Sequence, residues 1–269
     1  MRALLIPFLI AMQFLTRLPV SFLLDKNGSP KDIYTSGNQS RSLKYYPLVG
    51  AIIGLLLLVF IFSLNIFSSG HTIYIAVLTV FLWVVLSGGL HLDGVADMAD
   101  AWVGGLGDKD KTLHIMKDPT CGPFGVIAIV FTILLKLVFV YELIMINPWF
   151  ILLPPLLSRA AIIGLLMHIP YARPQGMGYD LSTVTDKNKN KVSMAISILA
   201  SISLLMLFSN IMMILGIFAV CTLFYYLFTS NVLNRIGGIT GDIAGAFIEY
   251  MELIILFSLV TLTFIIQST

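Results

Sequence analysis

A chain of 269 residues that is 58% hydrophobic and only 11% charged falls far below the roughly 25% charged residues of soluble domains, which excludes a water-soluble globular protein. Its net charge of +2 is too small to suggest a nucleic-acid partner. Cys121 and Cys221 lack metal-ligand spacing and give no reason to expect a disulfide. What remains is an all-α polytopic membrane protein whose first partner is the lipid bilayer.

Crossing roughly 30 Å of hydrocarbon takes about 20 apolar residues. Such runs lie near 3–19, 46–67, 73–90, 124–146, 149–168, 194–209, 211–229 and 250–266. They predict about eight transmembrane helices, or seven if the first, which carries Arg17 and follows Arg2, re-enters or lies along the interface. The first run passes through "FLTRLPV" with no small-residue cleavage site, so no cleavable signal peptide is expected. Lys26, Lys31, Arg41 and Lys44 follow the first run, Lys109, Lys111 and Lys117 the third, Arg173, Lys187, Lys189 and Lys191 the fifth, and Arg235 the seventh. The loops after the other runs hold no Lys or Arg. This alternation puts the basic loops in the cytoplasm. The expectation is one integral membrane domain over 1–269, with cytoplasmic loops near 20–45, 93–123, 169–193 and 230–249.

Arg17, in "FLTRLPV", can clamp a phosphate bidentately or pair with an acid and hold helices together, and Arg159, in "PPLLSRAAIIG", has the same two readings. After the third run, "HLDGVADMADAW" at 91–102 sets Asp93, Asp97 and Asp100 four and three residues apart, one stripe of a helix. Like charges so placed repel, so a cation is expected there. Hard oxygen ligands in that number suit Mg²⁺ or Mn²⁺. The ordinary alternative is a solvated acidic face, but "VLSGGLHL" sets this stripe against the membrane boundary, where idle charge is costly. Next, "KDKTLHIMKDPTCGPFG" offers Lys111, His114 and Lys117, then Gly122 and Gly125 opening the fourth run, a helix start whose free N–H groups form an anion site. Lys136 and Glu142, inside that run, are too badly spaced to face each other and need partners elsewhere. His168 reads as a boundary histidine rather than a ligand. Near the end, "GGITGDIAGAFIEYMEL" at 237–253 repeats the theme: Asp242 and Glu249 lie seven apart behind Gly237-Gly238, as Asp93 and Asp100 do behind Gly88-Gly89. Glycine pairs let a helix break or two backbones approach. The two acidic faces are expected on one side of the membrane, where they can converge on an ion.

Six blocks carry a resemblance: "FLTRLPV" at 14–20, "YYPLVGAIIG" at 45–54, "GGLHLDGVADMADAW" at 88–102, "IMKDPTCGPFG" at 115–125, "YARPQGMG" at 171–178 and "GGITGDIAGAFIE" at 237–249. In order and spacing the chain resembles the cobalamin synthase family, the adenosylcobinamide-GDP ribazoletransferases. The resemblance implies a Mg²⁺-dependent enzyme of the prokaryotic cytoplasmic (inner) membrane, with its active site facing the cytoplasm. It would join adenosylcobinamide-GDP to α-ribazole or α-ribazole 5′-phosphate, forming adenosylcobalamin or its 5′-phosphate and releasing GMP. Two departures stand out. Asp100 is followed by Ala101 where the family pattern has Gly. Thr120 and Cys121 stand where relatives place an arginine, which would leave Lys117 or Arg173 to supply that positive charge.

Under this resemblance Asp93, Asp97, Asp100, Asp242 and Glu249 are expected to hold one or two Mg²⁺ ions on the diphosphate. Arg17, Lys117, Arg159, Arg173, Gly122 and Gly125 are expected to bind substrate. Asp100, Glu249 or His91 would accept the hydroxyl proton, and the sequence does not choose among them. It also leaves open the oligomeric state. Two rivals are weighed. CDP-alcohol phosphotransferases of lipid synthesis share the acid-rich helix end but carry Arg where "DGVADM" has Met98. Cation-coupled transporters share intramembrane acids and glycine-broken helices, but bind near the midplane.

Overall fold

The computed structural model describes residues 2–25, 33–67, 70–172 and 187–268, and all of the elements below lie within them. Three short helices open the chain: α1 (Arg2–Leu15), α2 (Ser21–Asp25) and α3 (Ser36–Ser42). A 3₁₀ turn at Leu43–Tyr45 leads into α4 (Tyr46–Phe67), followed by α5 (Thr72–Ser87), α6 (Leu90–Gly104) and α7 (Lys109–Ile115). Then come α8 (Pro123–Ile146), a 3₁₀ turn at Pro148–Leu152, α9 (Leu153–His168), α10 (Lys187–Phe208), α11 (Ile211–Ile236) and α12 (Gly241–Ser268). The described residues form no strand, and Tyr171 and Ile239 make an isolated parallel bridge.

Among the described residues, six helical segments are long and apolar enough to cross a membrane: Ser36–Phe67, Pro123–Ile146, Pro148–His168, Asn188–Phe208, Ile211–Ile236 and Gly241–Ser268. A seventh candidate is α5, which meets that criterion only together with α6, across an 86° bend. The protein is an integral membrane protein. Six to seven spans among the described residues agree roughly with the expected seven or eight, and the apolar part of α1, Leu4–Leu15, is shorter than any of them. Pro19 turns Leu18 away from helical geometry, and Arg17 N–H bonds to Leu86 O at 2.8 Å instead of extending α1.

α9 and α12 are the most buried spans, whereas α8, α10 and α11 turn most of their surface outward. One end of the bundle gathers every basic loop with described residues. There Ser193 Oγ donates to Lys44 O at 2.6 Å, and Ala172 N–H bonds to Ile239 O at 2.8 Å. At the other end Trp149 packs against Phe62 and stacks on Phe208, with ring centroids 5.8 and 6.1 Å apart. The predicted grouping of basic loops is therefore present in the packing.

Candidate active site

The bend between α5 and α6 is made by Gly88 and Gly89, whose φ values of 64° and 69° are left-handed, a region that side chains with a Cβ rarely enter. It turns α6 out of the spanning direction, across the first turns of α8 and α12. The crossing is close because of Gly94: a Cβ there would collide with the Asp242 carbonyl. Of all its neighbours, α6 packs most extensively against α12. That contact joins the two acid-bearing segments, which are some 150 residues apart in sequence.

The expected stripe is real. Asp93, Asp97 and Asp100 lie on successive turns of α6, and Asp242 sits in the first turn of α12, accepting from Thr240 Oγ1 at 3.3 Å. Partial burial, then Asp93, Asp242 and Asp100 in that order, push the Asp97 carboxyl up to about 6. Desolvation followed by Asp100, Asp97 and Asp93 also raises the Cys121 thiol. The site is thus a pool of negative potential. Among the described residues no three His, Cys, Asp or Glu side chains already close around a single point.

Asp100 has a different setting from its neighbours. Its Oδ2 accepts from Gly122 N–H at 2.7 Å and its Oδ1 from Gly125 N–H at 2.9 Å. The α8 start does bind an anion, as its Gly/Pro loop predicts, but the anion is the chain's own carboxylate, so Gly122 and Gly125 have their donors committed. Lys117 is exposed and lies outside the cavity wall, next to Met116, whose Sδ is 3.2 Å from Thr240 Oγ1. Arg173 lies outside the described residues.

Between α1, α3, α4, α6, α9 and α12 opens a cavity of about 760 Å³. Asp93, Asp242, His91 and Arg17 all line it. The Arg17 side chain packs over Gly88, where a Cβ would strike it, and has no carboxylate partner among the described residues. The volume is in the upper part of the usual range for small-molecule sites, roughly 300–1,000 Å³.

Glu249 and Arg159, both expected at the substrate, lie deeper. Glu249 Oε2 is 2.6 Å from Lys136 Nζ, which also reaches Glu252 Oε2 at 2.7 Å, and Arg159 pairs with Glu252. Burial forces these choices, because an unpaired charge there would carry its full desolvation penalty. Lys136 thus finds its partners on α12, not in Glu142. Glu252 was invisible as a functional residue to the sequence reading. Its one signal was its place three residues after Glu249, on the same helix face. Gln13, Tyr46 and Tyr171, also in the cavity wall, come from scattered positions with no motif to announce them.

Residues 7–260 match the family model described as cobalamin-5-phosphate synthase. A protein of Pseudomonas syringae pv. syringae (strain B728a), named adenosylcobinamide-GDP ribazoletransferase, is 40% identical over 261 residues, 96% of this chain and 100% of that protein. A protein of the same name from Acinetobacter baumannii (strain ACICU) is 40% identical over 255 residues, 94% of this chain and 96% of that protein. No solved structure matches. With a bent acidic helix docked on a second acidic helix at the mouth of a membrane cavity, and with this likeness over nearly its whole length, the chain belongs to the cobalamin-5-phosphate synthase family.

Proposed function

We propose that the chain is an adenosylcobinamide-GDP ribazoletransferase of the prokaryotic cytoplasmic membrane, its cavity opening toward the cytoplasm. In the reaction, a ribose hydroxyl of α-ribazole or α-ribazole 5′-phosphate attacks the cobinamide-side phosphorus of adenosylcobinamide-GDP. An O–P bond forms, the bridging P–O bond breaks, and GMP leaves. One observation carries this reading: Asp93 and Asp242, from opposite parts of the chain, share a cavity with Arg17, which has no carboxylate partner among the described residues. Acids alone would repel a diphosphate, whereas acids that hold a cation beside an arginine can bind it and stabilise the departing charge.

The donor set fits Mg²⁺. Asp93, Asp97 and Asp242 supply hard carboxylate oxygens, and the raised Asp97 carboxyl marks a spot where a cation relieves repulsion. Once bound, Mg²⁺ would offset charge on the diphosphate and its leaving GMP. Arg17 takes the diphosphate oxygens with its planar fork. Asp100 locks the start of α8 to α6, which holds the acid-bearing face in place. His91 borders the cavity and is the candidate placed to receive the ribose hydroxyl, since Asp100 is spent on α8 and Glu249 on Lys136. Phosphoryl transfer proceeds largely by positioning and charge stabilisation, so a neutral imidazole that aligns the oxygen suffices.

Asp93, Asp97, Asp100 and Asp242 gather at the end of the bundle, and the buried Glu249 and Glu252 are paired with Lys136 and Arg159, which disfavours the transporter. The deciding experiment measures GMP release from adenosylcobinamide-GDP by the purified chain, with and without Mg²⁺ and α-ribazole. Release that depends on both is expected. No release under any of these conditions would refute the reading.

A further inference from the structure

Below the cavity, four charged side chains are sealed between spanning helices. Lys136 on α8, Arg159 on α9, and Glu249 and Glu252 on α12 are each at most 3% exposed, joined by the ion pairs described above, and the Trp83 ring lies 4.5 Å from Lys136 Nζ. Two cations and two carboxylates cancel, so the group is neutral without any charge on its neighbour His91. Well-packed apolar residues commonly hold helices together as well as a buried ion network does, and charge inside a membrane is expensive. Bracing therefore does not account for these residues.

What sets the group apart is one oxygen it leaves over. Glu249 Oε2 accepts from Lys136 Nζ, while its Oε1 stands 4.0 Å from His91 Nδ1, and Nδ1 is buried with no hydrogen-bond partner. Of these five side chains, His91 is the one that lines the cavity. The backbones allow this approach because Gly245, one turn before Glu249, packs against the His91 Cα and carbonyl.

We propose, building on the transferase reading, that Lys136 and Glu249 are positioning residues that act on the substrate through His91. Lys136 pins Glu249 so that Oε1 faces Nδ1. Glu249 then accepts the Nδ1 hydrogen, which fixes the tautomer and leaves Nε2 as the acceptor for the attacking ribose hydroxyl. Carboxylate, imidazole and hydroxyl in that order form the orienting arrangement of hydrolase triads. Such bonds are often long in substrate-free enzymes and tighten when substrate is bound. Arg159 neutralises Glu252, so the second contact of Lys136 does not draw it away from Glu249.

The test uses the full-length chain and reads α-ribazole-dependent GMP release together with the melting temperature. Lys136→Met or Glu249→Met alone strands a buried charge and should lower the melting temperature. The double variant removes both charges and should melt near the wild type. In that folded double variant kcat is expected to fall at least about tenfold while KM for adenosylcobinamide-GDP stays within about twofold. Wild-type kcat in a double variant of wild-type stability would overturn the proposal and reduce the pair to a brace. Should the double variant not fold, Glu249→Gln gives the same reading with an isosteric side chain: the same fall in kcat supports the positioning role, and wild-type kcat overturns it. A wild-type chain that releases no GMP would count against the transferase reading itself, before any variant is compared.

Discussion

Like charges one helical turn apart cost a few tenths of a kcal/mol each in water and more where water is thinned. The cost falls most heavily on Asp97. Its carboxyl titrates near 6 in the fold against 3.8 as a free side chain, so the sign of its effect is fixed. The stability this acid contributes is fully present below its unfolded value and is lost as pH rises through the folded one. Above that range the metal-free protein is strained by its own acids, and a divalent ion relieves the strain. Mg²⁺ is therefore expected to raise the melting temperature more at about pH 8 than at about pH 5. Equal increments at both would show that the ion binds elsewhere. Asp97→Asn should raise the melting temperature of the metal-free protein while removing most of the Mg²⁺ increment. By the same logic Asp93→Asn, Asp97→Asn and Asp242→Asn should each lower kcat/KM by at least about 10²-fold, read as GMP release. Near-normal rates in all three would remove the acidic centre. These acids were legible in the sequence because spacing alone sets them on one helix face. The partners of Asp100 were not, because a bond to N–H groups 22 and 25 residues away depends on how α6 and α8 cross.

Two helix contacts set the shape of the site, and each rests on a small feature. The first is the Asp100 carboxylate on the α8 start, a capping interaction together with a charge at the positive end of the helix dipole. Asp100→Ala is expected to cost about 1–2 kcal/mol in denaturant unfolding, with Asp100→Asn losing less. A change within error for both would mean that the cap is not used in solution. The second is Gly94 against the Asp242 carbonyl. Gly94→Ala pushes α6 away from α12, which separates Asp93 and Asp97 from Asp242. It should raise the Mg²⁺ concentration needed for half-maximal activity several-fold, measured beside the neutral neighbour change Ala99→Ser. The limits of α4 and α8 and the end of α9 were readable to within about a residue because hydrophobic runs begin and end with them; α9 starts later than its run, which opens in the 3₁₀ turn at Pro148–Leu152. α10 and α12 start earlier than their apolar runs, at Lys187 and Gly241. Their first turns carry charged and small residues at the basic end of the bundle and at the site, and hydropathy is blind to helix there.

At the scale of the whole molecule, alternating basic loops predicted an even-handed weave of spans, and the packing keeps every such loop with described residues at one end. That much follows from charge and length, which need no knowledge of neighbours. Which helices touch does not: the choice of α12 as the partner of α6, α8 and α9 follows from buried charges and glycines whose mates lie more than 90 residues away. Arg17 and Arg2 marked the first run as the one that need not span, and α1 is indeed the short one. The topology can be tested with the chain's own thiols. Cys121 is exposed at the basic end, whereas Cys221 is partly buried within α11. A membrane-impermeant maleimide should label Cys121 in inverted vesicles and not in intact cells. In a chain with Cys121 replaced by serine, His71→Cys, exposed between α4 and α5 at the far end, should show the reverse pattern. Labelling of both positions from the same face would require α5 not to cross. The acids of α6 and α12 would then no longer be tied to the side on which the basic loops gather, and the cytoplasmic orientation of the cavity would fall with them.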